Sequence, residues 1–109
     1  MQSKLTDDIK QIINATHYRP AVSIIMPFPA SSNLKSDMKH LLKKAADQVE
    51  RDLRIHYPGE VVKPTMLKLR SFLDDLKIDS AKKAIAIFIS PVFEKMIFLN
   101  TTVQEKIVI

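Results

Sequence analysis

Two stretches of the chain, residues 21–26 (AVSIIM) and 84–89 (AIAIFI), are unbroken runs of β-branched and other apolar side chains. Prolines and serines close both, at Pro27, Pro29 and the Ser31-Ser32 pair in one case and at Ser90-Pro91 in the other. Short apolar runs bounded in this way read as buried strands. Between them the spacing changes. Leu34, Met38, Leu41, Leu42, Ala45, Val49 and Leu53 recur at i, i+3 and i+4, which predicts a long amphipathic helix over about residues 34–55, entered through a serine or Asn33. The turn Tyr57-Pro58-Gly59 ends it, and Val62, Met66, Leu69, Leu73 and Leu76 mark a second helix over about residues 61–76. Pro64 fits that helix only near its first turn, where the missing N–H does no harm.

The two ends of the chain complete the pattern. Thr6 with Asp7 and Asp8 reads as a capped helix start, Ile9, Ile12 and Ile13 follow at helical spacing, and the helix ends before His17-Tyr18-Arg19-Pro20. Residues 95–99 and 103–109 read as two more strands joined by a short polar turn at Asn100-Thr101-Thr102. The predicted order is α-β-α-α-β-β-β. It gives an α/β domain of the α+β type, with a four-stranded, mostly antiparallel sheet whose faces are covered by helices. The first two strands pair antiparallel and the last three form a meander. Because residues 106–109 (KIVI) stop in mid-strand with apolar side chains, the 109 residues read as a single domain at the N-terminus of a longer multidomain protein.

Composition removes several kinds of chemistry. With no cysteine there is no disulfide, no thiolate metal site and no thiol nucleophile, and a reducing, cytoplasmic setting is expected. His17, His40 and His56 lie far apart without metal-ligand spacing, and Asp74, Asp75 and Asp79 lack the oxygen-rich loop that a hard cation needs. No Gly-x-Ser-x-Gly elbow is present. Glycine-rich phosphate cradles are ruled out because the chain has one glycine, Gly59. The expectation is a protein that is not an enzyme, needs no cofactor and takes no small-molecule substrate. The first residues lack the apolar core of a signal peptide, and no apolar run is long enough to span a membrane.

The formal net charge of +5 is spread thinly along the chain. Opposite the apolar stripe of the long helix lie Lys39, His40, Lys43, Lys44, Arg51 and Arg54, with Lys35 at its start. These residues are either a track for phosphates or an ordinary solvated face. The second reading draws on Asp47, four residues from both Lys43 and Arg51, and on Glu50, four from Arg54. Residues 35–44 alone keep a clear excess, four lysines against Asp37. Aromatic side chains offer little: Phe28 sits in a proline-flanked loop, and Phe88 and Phe98 lie within strands.

Three phrases occur in order along the chain: residues 18–28 (YRPAVSIIMPF) leading into the basic helix, residues 83–91 (KAIAIFISP), and residues 103–109 (VQEKIVI). From Tyr18 onward this resembles the N-terminal domain of the bacterial branch of the archaeo-eukaryotic release factor family, the branch with Balon-type ribosome hibernation factors. The tetrapeptide Asn33-Leu34-Lys35-Ser36 is similar to the Asn-Ile-Lys-Ser loop of the eukaryotic class-one release factors. The likeness has limits. The segment before Asn33 is too short for the extra helix of those factors, a chain without cysteine has no counterpart of their Tyr-x-Cys-x-x-x-Phe motif, and their Gly-Gly-Gln motif belongs to another domain. What the resemblance implies is a decoding-end domain that seats a translation or hibernation factor in the ribosomal A site. Lys35, Lys39 and Lys43 would then lie near ribosomal RNA, with Asn33 at the helix entrance. With Lys44 of the same half-helix, these are the candidate nucleic-acid-binding residues. The alternative is a protein-interaction or dimerisation domain that self-associates through the edge strand at residues 103–109.

Overall fold

One strand, a pair of helices and three further strands follow each other in the computed structural model, which describes residues 20–30 and 32–109. They are β1 (Val22–Pro27), α1 (Leu34–His56), α2 (Gly59–Asp74), β2 (Ala84–Ser90), β3 (Phe93–Leu99) and β4 (Lys106–Val108). The helix expected over residues 6–16 lies outside the described residues. The four strands form one antiparallel sheet and the domain is of mixed α+β type, as the order of apolar patterns requires.

Strand alternation decides which side chains reach the helices. Val22, Ile24 and Met26 of β1 stand opposite Ile89, Ile87 and Ile85 of β2 and share one face with them. That face packs against Met38, Leu42, Ala46, Val49 and Leu53 of α1 and Val62, Met66 and Leu69 of α2 in a single buried cluster. α1 passes to α2 through Tyr57 and Pro58. The Tyr57 N–H donates to the Leu53 carbonyl at 2.8 Å, and the N–H groups of Val61 and Val62 donate to the Pro58 carbonyl at 3.0 and 3.1 Å. α2 begins at Gly59, earlier than expected, so Pro64 falls in its second turn rather than its first. Next to it, the buried Thr65 hydroxyl donates to the Val61 carbonyl at 3.1 Å, so its burial carries no unpaired hydroxyl.

One expectation is corrected. The last three strands do not form a meander: the strand order is β3-β2-β1-β4, so β4 leaves β3 and pairs with β1. This is the Greek-key order, with the fourth strand beside the first. It is reached because Leu99, Ala84 and Pro27 all lie at the same end of the sheet. Residues 100–105 cross that end, a span of three strand spacings or about 14 Å, within reach of six extended residues. Both described helices lie against one face of the sheet. The opposite face carries Ile25, Ala86, Phe88, Ile97, Leu99 and Val108.

Candidate nucleic-acid interface

α1 forms where the apolar stripe predicts it, and its buried side chains fix which side faces outward. Asn33 holds the N-cap position and its carbonyl accepts the Asp37 N–H at 2.9 Å, but its side chain makes no capping hydrogen bond. Asp37 in the first turn suits the positive end of the helix dipole. Lys35, Lys39 and Lys43, four residues apart, follow one slowly turning ridge along the exposed side. Lys44 is exposed as well but sits about 100° around the axis from Lys43. The structure therefore joins three of the four candidate lysines in one line and leaves Lys44 beside it.

The carboxylates expected to neutralise this ridge are engaged elsewhere. Glu50 does pair with Arg54, at 3.0 Å. Asp47, however, pairs with neither Lys43 nor Arg51. Arg70 of α2 reaches across and donates from one nitrogen to both Asp47 and Glu50, each at 3.0 Å. An inter-helix bridge thus replaces the expected bridge within α1, because two acids one turn apart present converging oxygens to a guanidinium on the neighbouring helix. Lys35, Lys39, Lys43 and Lys44 have no ion pair among the described residues.

This bridge also sets a pH dependence. Hydrogen bonds from Arg70, then from Arg54, hold the Glu50 carboxyl below its ordinary 4.5, and the same contact with Glu50 raises Arg70. A carboxylate with a lowered folded-state pKa contributes stability that is fully present above its unfolded value and is lost as the pH falls through the folded value. Glu50→Gln is therefore less stable than the parent at neutral pH. Urea unfolding at a series of pH values should show the gap closing as the pH drops below about 4.5. A gap constant down to acid pH would contradict the role given to this bridge.

Beside the ridge, α1 and the end of α2 enclose a cleft of about 420 Å³. Lys39 and Lys43 stand on the α1 lip, and Arg70 and Asp74 on the α2 side. Leu42, Ala46, Leu73, Leu76 and Ile78 supply an apolar interior. Helical spacing puts Leu73 and Leu76 on the core stripe, but it does not signal that the stripe runs past the core and leaves these last members half-buried at an opening. The carboxylate of Asp79 has a local task, accepting the Ala81 N–H at 3.1 Å across its own turn. Phe28 is no free stacking platform: it packs on the core and meets Phe98 edge-to-face, with centroids 6.1 Å apart.

No helix among the described residues is long and apolar enough to cross a membrane. No protein-family model matches the chain, and no curated protein matches it.

Proposed function

We propose that this chain is a non-catalytic RNA-binding domain, of the kind that seats a release-factor-like translation or hibernation factor on ribosomal RNA. One observation carries the reading: Lys35, Lys39 and Lys43 stand exposed along one ridge of a 23-residue helix, while the nearby acids Asp47 and Glu50 are taken up by arginines. A row of ammonium groups carried on one helix binds the phosphate backbone by releasing its counterions. Such contacts position a protein without reading sequence. That suits a domain whose sequence departs from the stop-codon-reading pattern. The resemblance to the release factor family supplies the ribosome as the RNA, and the sheet beneath α1 holds the ridge in place.

Co-sedimentation with purified ribosomes tests this directly. Binding is expected at low salt. For three phosphate contacts, a fourfold rise in monovalent salt from about 50 to 200 mM should weaken it roughly 20- to 40-fold. No association at low salt, or association indifferent to salt, would end the proposal.

A further inference from the structure

The lysine ridge borders a cavity whose rim carries charges of both signs. Its α1 lip holds Lys39 and Lys43, its α2 lip holds Asp74 and Arg70, the arginine being committed to Asp47 and Glu50, and the walls between are aliphatic. At about 420 Å³ it falls in the size range of small-ligand sites. Asp74 is out of place by the rules of helix stability. It occupies the last turn of α2, where the negative end of the dipole disfavours an acid, and that turn holds no basic residue. It has no ion pair among the described residues, so the fold gains nothing visible from its charge. A residue that breaks a local rule without a structural return is a candidate for function.

Resting on the RNA-binding role of α1, we infer that this cleft takes one unstacked guanine base of the bound strand. A nucleobase has two apolar faces and a polar edge, and single-stranded RNA is read by splaying such bases into pockets beside phosphate contacts. Here Leu42, Leu73, Leu76 and Ile78 meet the faces, and Lys39 and Lys43 hold the adjoining phosphate. Asp74 meets the edge. An ionised carboxylate only accepts hydrogen bonds. Guanine alone among the four bases presents two neighbouring donors, N1–H and the N2 amine, on its Watson–Crick edge. Adenine and cytosine set one donor beside an acceptor, and uracil sets one donor between two carbonyls, so each would turn a lone pair toward the carboxylate. Charge on both lips thus selects the orientation of the base as well as its identity.

Binding of the full chain to a labelled oligouridine tests this, compared with the same strand carrying one guanosine, one inosine or one adenosine. The guanosine strand should bind about tenfold tighter than oligouridine, the scale of one bidentate base contact. Inosine, which keeps N1–H and lacks the N2 amine, should fall between. Asp74→Asn should erase the preference and leave the salt dependence unchanged, while the thermal melt holds or rises by a few degrees as the acid leaves the negative end of the dipole. Equal affinity for all four strands with the salt dependence intact would overturn the guanine site and leave the phosphate-binding reading standing. Absence of binding to every strand at low salt would remove both.

Discussion

Ile87→Ala is expected to lower the free energy of unfolding by about 2–5 kcal/mol. Ile87 has no solvent exposure and lies in β2, which is paired on both sides, opposite Ile24 of β1 and Met96 of β3. It points to the helix-covered face, so truncation leaves a void between the sheet and the helices that close packing cannot fill without moving several elements. A domain of this size has about 5–15 kcal/mol in total, so the loss is a large share of its stability. The melting temperature should drop by roughly 10–30 °C. Ile55→Ala is the control. Ile55 is 75% exposed at the end of α1, and its loss should cost no more than about 0.5 kcal/mol. Chemical unfolding of both variants would show the difference, and equal midpoints would mean that the sheet–helix interface is not where the stability resides.

Charge reversal of the ridge is expected to have the second large effect. Lys35→Glu, Lys39→Glu and Lys43→Glu together change the formal net charge from +5 to −1, since each reversal removes two charges. All three side chains are exposed and without an ion pair among the described residues, so the fold should tolerate the change. Each lysine that meets a phosphate contributes about one unit to the slope of log affinity against log salt. The triple variant should therefore lose about three such units, and little ribosome association should remain. Lys63→Glu, Lys77→Glu and Lys83→Glu impose the same change in net charge on other exposed lysines. If this second set were as damaging as the first, overall charge rather than the α1 ridge would be responsible.

The elements were legible in the sequence wherever a pattern closed on itself over a few turns or a few residues. The i, i+3, i+4 series from Leu34 to Leu53 gave α1 to within one residue, and the β-branched runs gave β1 and β2. Local pattern does not carry partner choice. Residues 103–109 read as a strand, of which 106–108 form β4, yet nothing in them says that they pair with Ser23, Ile24 and Ile25 rather than with the strand just before. Arg70 shows the same limit for charge: its partners lie 20 and 23 positions away, and helical spacing pairs Asp47 only with its own neighbours. The α1 ridge was visible because it is a property of one helix. The cleft was not, because its walls come from α1, α2 and the segment after α2, and only their packing reveals an opening.

The Greek-key order also has a consequence for how the polypeptide acquires its shape as it is made. β1 is synthesised first, but Val22 must wait for Ile89 and Ser23 for Val108. At about 5–20 residues per second, the central strand stays without a neighbour for several seconds. α1 and α2 need only each other and a two-residue link, so the helical hairpin can settle early, whereas strand pairing must close a loop of some 60 residues. The apolar sheet is thus assembled last, with β4 as its closing piece.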